Sequence, residues 1–86
     1  MSRDVTTEEK EYCKATVIIW REDKWFVAYE PLTSVASQGK TLEEALNNIK
    51  EALELYLEET KEEIYPLERV MITTVDVRIP KKVVTA

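Results

Sequence analysis

The chain has 86 residues, 44% of them hydrophobic and 34% charged. That length supports one domain with one modest core, and the balance excludes a disordered chain. A net charge of −5 argues against a free-standing nucleic-acid binder, which needs a basic face.

No histidine is present, so histidine bases and histidine-ligated zinc are excluded within one chain. Cys13 is the single cysteine; it permits no intrachain disulfide and fits a reducing cytoplasm. No apolar run is long enough to span a bilayer.

Residues 1–11 are polar and acidic and read as a flexible end, unlike a signal peptide. Residues 15–20, Ala-Thr-Val-Ile-Ile-Trp, read as a first strand, rich in β-branched and aromatic side chains. Arg21-Glu22-Asp23-Lys24 reads as a polar turn. Residues 25–29 read as the returning strand of a hairpin, ended by Pro31. Residues 34–37 form a short third strand that delivers the chain to Gly39.

The next segment is the most informative. Gly39 is the only glycine, which predicts a positive φ or a tight backbone approach. Thr41 fits a helix N-cap, and Glu44 three residues later completes a capping box. Glu43 and Glu44 also place negative charge at the positive end of the helix dipole. Leu42, Ala45, Leu46, Ile49, Ala52, Leu53, Tyr56 and Leu57 then recur at helical spacing as one apolar stripe. The pattern runs to about Thr60, and Pro66 bars continuation past Tyr65.

Residues 70–79, Val-Met-Ile-Thr-Thr-Val-Asp-Val-Arg-Ile, read as a last strand closed by Pro80. Residues 81–86 extend it or form a flexible tail. The order is therefore β-β-β-α-β, an α+β domain whose core spans about 14–79. One long helix packs on one face of a small mixed four-stranded sheet, with a right-handed crossover into the last strand.

A sheet covered on one face alternates apolar and polar residues. The first two strands do not: Val17 and Ile19 oppose Ile18 and Trp20, and Trp25, Val27 and Tyr29 oppose Phe26 and Ala28. Both faces are apolar and only one helix is available, so either the termini fold over the second face or, the preferred expectation, another protein or another copy covers it. Trp20, Trp25, Phe26 and Tyr29 are the candidate anchors. A long last strand at a sheet edge also makes pairing between chains easy.

Three runs together resemble the HicB-like antitoxins: residues 25–31, the Ser37-Gln38-Gly39-Lys40-Thr41-Leu42-Glu43-Glu44-Ala45 segment with residues 35–36 before it, and residues 49–59. Thr73-Thr74-Val75-Asp76-Val77 is similar to the last strand of that family's short members. The resemblance covers about residues 15–79. It implies a partial RNase-H-like fold and a partner: HicA, a small basic mRNA-cleaving toxin whose active surface the antitoxin covers. Gly39, Thr41 and Glu44 are the structural signature carried by the match. Two features depart from the family. Leu32-Thr33-Ser34-Val35-Ala36 stands where many members have an Asp-Leu-Pro-Gly-Cys type sequence, and the 86 residues hold no DNA-binding domain after the last strand.

An RNase-H-type nuclease needs carboxylates converging on paired metal ions, one of them central on the first strand. Residues 16–20 contain none. Asp76, Glu44 and Glu51 remain, and each reads more simply as a strand-surface, capping or helix-surface residue. Cys13 has no histidine to activate it as a nucleophile. Trp20 and Trp25 could stack on bases, but without a basic groove a core or interface role is expected. The expectation is a non-enzymatic, cofactor-free and metal-free cytoplasmic protein, homodimeric or larger, that binds protein rather than nucleic acid or membrane. Its alternative is an orphan homo-oligomeric scaffold of the same fold with no toxin.

Overall fold

A computed structural model of the chain describes residues 11–81. Four elements form in chain order: β1 (Ile18–Glu22), β2 (Trp25–Glu30), β3 (Val35–Gly39) and α1 (Leu42–Thr60). The strands make an antiparallel meander in the order β1-β2-β3, with α1 packed on it, so the class is α+β.

The first hairpin is tighter than the sequence suggests. β1 is shifted toward the turn, and Arg21 and Glu22 pair with Phe26 and Trp25. The loop is Asp23-Lys24 alone, with Asp23 at φ 55. Asp tolerates that left-handed conformation, so a two-residue connection closes and the flanking charged residues are free to be strand. The second connection, residues 31–34, is built around Glu30. Its backbone carbonyl accepts from Ser34 N at 2.8 Å. Its buried carboxylate accepts from Leu32 N at 3.1 Å, Thr33 N at 2.8 Å and Thr33 Oγ1 at 2.6 Å. A carboxylate away from water needs such donors, and the turn supplies all three.

Thr41 caps α1 as expected, its Oγ1 accepting from Glu44 N at 3.0 Å. Glu44 returns the bond one residue earlier than a standard capping box, to Lys40 N. Gly39 does not use a positive φ. The alternative reason for glycine holds: a Cβ there would sit 2.5 Å from Ala45 N. β3 and the first turn of α1 are therefore pressed together, and Asn48 Nδ2 donates to Gln38 O at 2.8 Å across the same junction. The helix ends at Thr60, with Lys61 at φ 60 donating its N–H to Leu57 O at 2.9 Å.

The core lies between α1 and the sheet. Ala28, Ala45, Ile49 and Leu53 are buried, with Ala15, Val17, Phe26 and Val35 packed around them. Two of the four buried apolar residues are alanines, so the core is thin. Leu42 and Leu46, expected on the apolar stripe, are exposed, because α1 contacts β3 and β2 but not β1.

The last strand does not form. Residues 70–80 lie outside regular structure and are exposed throughout. Among the described residues the sheet is consequently three-stranded and wholly antiparallel rather than mixed and four-stranded, with no crossover after α1. The local reason is visible. Leu67 N donates to Thr16 Oγ1 at 2.8 Å, which brings the chain beside the entry to β1. Arg69 then takes φ 56, and the segment runs on without backbone bonds to the fold among the described residues. The molecule measures 72 × 27 × 23 Å with a radius of gyration of 18.6 Å. A compact chain of this size would have roughly 11–12 Å. The flexible ends expected for 1–11 and 81–86 fall almost wholly outside the described residues.

Candidate functional site

Strand register decides which candidate anchors act together. Cross-strand partners share a face. Trp20 pairs with Val27, Ile18 with Tyr29, and Tyr29 with Ala36. Trp25 lies two residues from Val27 along β2, so it joins the same side. Ile18, Trp20, Trp25, Val27 and Tyr29 thus form one apolar face, opposite α1. No described residue outside the sheet belongs to an element packed on it.

Phe26 does not belong to this face. It pairs with Arg21 and Gly39 on the helix side and packs against the core. Arg21 lies over its ring, the guanidinium carbon 4.6 Å from the centroid. The two apolar faces of β2 were legible in the sequence, but only the register assigns Phe26 to the covered one.

The open face is held in a fixed arrangement. The Trp20 and Tyr29 rings lie 6.3 Å apart at 55°, a tilted aromatic pair. Trp20 Nε1 donates to Glu22 Oε2 at 3.2 Å. Tyr29 Oη and Ser34 Oγ are 3.2 Å apart. Lys40 Nζ is 5.9 Å from the centre of the Trp25 ring, a cation–π contact at the rim. Trp20 and Trp25 remain 40% and 36% exposed. Rigid aromatics whose polar atoms are already engaged, as those of Trp20 and Tyr29 are, suit contact with another protein, since little side-chain freedom is lost on burial.

On the other side, a groove of about 430 Å³ opens between the chain entering β1 and the flank of α1. Ala15, Val17, Ile49, Leu53, Leu57 and Ile64 line it. Cys13 lies at its rim, exposed and free. Among the described residues, no group of three or more Cys, Asp or Glu side chains could hold a metal ion. Asp76 is on the exposed residues 70–79, Glu44 is engaged at the helix cap, and Glu51 is on the outer surface of α1. The three do not converge. Among the described residues, no helix is long and apolar enough to cross a membrane.

Glu30 is the residue that sequence reasoning overlooked. The sequence reading passed over it between the returning strand, 25–29, and Pro31, although the donors it uses follow within three residues of the chain. Its role is to hold the β2–β3 turn, and through it the position of Tyr29 and Ser34 at the edge of the open face.

A three-stranded antiparallel sheet carrying one capped helix, with an aromatic face left open, defines a small α+β domain built around a surface rather than a cleft. Residues 1–78 match the model of a family of unknown function, DUF7387, and the chain belongs to that family. It is similar to a UPF0150 protein of Helicobacter pylori strain J99, 51% identical over 41 residues that cover 46% of this chain and 57% of that protein. It is also similar to the UPF0150 protein Ta0767 of Thermoplasma acidophilum, 50% identical over 50 residues, 56% of this chain and 72% of that protein. The match to the Helicobacter relative thus spans little more than half of that protein's length. No solved structure matches the chain significantly.

Proposed function

We propose that this chain is a HicB-like antitoxin domain of the partial RNase-H-like type. In this reading it is a protein-binding inhibitor that covers the active surface of a small, basic, HicA-type mRNA-cleaving toxin. The observation that carries the proposal is the open aromatic face of Trp20, Trp25 and Tyr29 on an acidic chain. An apolar face of this kind marks an interface, and a net charge of −5 steers a basic partner toward it. The β-β-β-α order and the Ser37-to-Ala45 segment support the same assignment through their resemblance to that family. No catalytic role or cofactor is proposed. Phe26 is withdrawn from the contact surface, because it faces the helix.

The test uses the tagged full chain, purified from its native host, and asks whether a small basic protein co-purifies in fixed stoichiometry. The expected outcome is a partner whose RNA cleavage this chain blocks. Trp20→Ala with Trp25→Ala should weaken that block at least tenfold without lowering the melting temperature, since neither ring is in the core. If inhibition survives the double variant unchanged, the aromatic face is not the contact. If no RNA-cleaving partner exists, the antitoxin reading fails. A second reading, a homo-oligomeric scaffold of the same fold without a toxin, is favoured by the exposed residues 70–79.

A further inference from the structure

Residues 70–79 carry a strand pattern with nothing to pair with. Met71, Thr73, Val75, Val77 and Ile79 fall on one side of an extended chain, and Val70, Ile72, Thr74, Asp76 and Arg78 on the other, so the charged residues of the run share one side. Met71 is 86% exposed, Val75 76% and Val77 71%. Unfolded segments avoid such alternating β-branched runs, and a strand of this kind is stable only against an edge.

An edge of matching character exists in the same fold. β1 is an outer strand of the sheet, its far side unpaired among the described residues. Because α1 covers only β2 and β3, Ile19 on the helix side of β1 stays 37% exposed, and the groove opens beside Val17 and Ala15. A strand added beside β1 would set every second side chain beneath this bare flank of α1. The arm's apolar side matches that need.

The arm does not reach its own β1. The Leu67–Thr16 bond holds the chain at the start of that edge, and the left-handed Arg69 turns the next residues away. Ten residues at about 3.3 Å each then extend roughly 33 Å from the body. In this conformation no described residue of the same chain makes a backbone bond to them.

We propose that the arm, residues 70–79, adds as a fourth strand to β1 of a second copy of this chain, and that the second copy returns its own arm in the same way. Exchange of identical elements about a two-fold axis closes on itself and leaves neither arm bare. Charge favours a copy of this chain over a basic partner. Residues 69–86 hold four basic and one acidic side chain, a formal +3. Residues 1–68 hold eight basic and sixteen acidic, a formal −8. The arm itself, residues 70–79, is formally neutral with Asp76 and Arg78, and the positive charge lies on its flanks at Arg69, Lys81 and Lys82; cationic flanks suit an acidic body and are repelled by a basic protein. This surface is separate from the aromatic face, so the exchange stands or falls independently of the antitoxin reading.

Sedimentation of the full chain tests it, with the expected mass being twice the 10.0 kDa of one chain. Val75→Pro with Asp76→Pro removes two consecutive backbone N–H groups, one of which must face β1 in either register. That variant should run at the mass of a single chain while its helix signal in circular dichroism is unchanged. Val77→Glu, which puts a charge on the apolar side, should shift the mass in the same direction. In a dimer mixed from isotope-labelled and unlabelled chains, methyl contacts should appear between Val75 or Val77 of one chain and Ile19 of the other. A monomeric full chain, with the arm free or folded onto its own β1, overturns the proposal. So does a dimer that keeps its mass in both variants, or an arm that binds only an unrelated acidic protein. Trp20→Ala with Trp25→Ala should leave the dimer intact, which separates this outcome from the fate of the antitoxin reading.

Discussion

A methyl group at position 39 would land 2.5 Å from the backbone nitrogen of Ala45 and 2.8 Å from the carbonyl carbon of Glu44. Neither is the movable end of a side chain, so Gly39→Ala must push β3 away from the first turn of α1. The expected loss is about 1–3 kcal/mol, read from urea unfolding. A neutral result would mean that the junction yields freely. The sequence pointed to Gly39 because it is the sole glycine, but it offered two reasons, and only the packing selects between them. Glu30 was hidden for the opposite reason: a glutamate ending a strand looks the same whether it is solvated or buried. Its carboxylate accepts three bonds from Leu32 and Thr33. Glu30→Gln keeps the shape but replaces an acceptor with a donor and removes the charge. It should cost about 1.5–3 kcal/mol, on the scale of a hydrogen bond to a charged group. The same denaturant titration checks it.

At the scale of elements, α1 was legible to within a residue because its signals are local: a cap, a charged first turn and a periodic stripe. The three strands were legible in number, and β1 slid because a two-residue turn at Asp23 leaves Arg21 and Glu22 free to pair. Residues 70–79 were legible as a pattern but not as a structure. Whether a strand pattern becomes a strand depends on an edge elsewhere, and no local signal reports it. The end of α1 yields a pH prediction. The half-buried Tyr56 donates its hydroxyl to both carboxylate oxygens of Glu62, at 3.2 and 3.3 Å. Partial burial first, and the Glu62 hydrogen bond second, raise its pKa above the usual 10.0. The folded value therefore lies above the unfolded one. The neutral ring's contribution is whole below pH 10 and is lost as pH rises through the folded pKa. Tyr56 should form tyrosinate above its usual range in an absorbance titration, and Tyr56→Phe should remove that late step.

For the whole molecule, the thin core sets the terms. With two alanines among four buried apolar residues, the isolated body has little margin, and under the proposed exchange a bound arm adds to it. Binding that favours the folded state raises its apparent stability with concentration. The melting temperature of the full chain should therefore rise as protein is concentrated. That of the Val75→Pro, Asp76→Pro variant should stay level. A full chain whose melting temperature ignores concentration would show that its folding is not coupled to association.

The contacts of the body follow the order of the chain. β1 meets β2, β2 meets β3, and β3 meets α1. Such near-neighbour wiring closes quickly. Residues 70–79 leave the ribosome only after those pieces have been made. Under the proposed exchange, assembly divides into a first-order folding of the body and a second-order exchange of arms between folded bodies. The turn at Arg69 marks the boundary between the two.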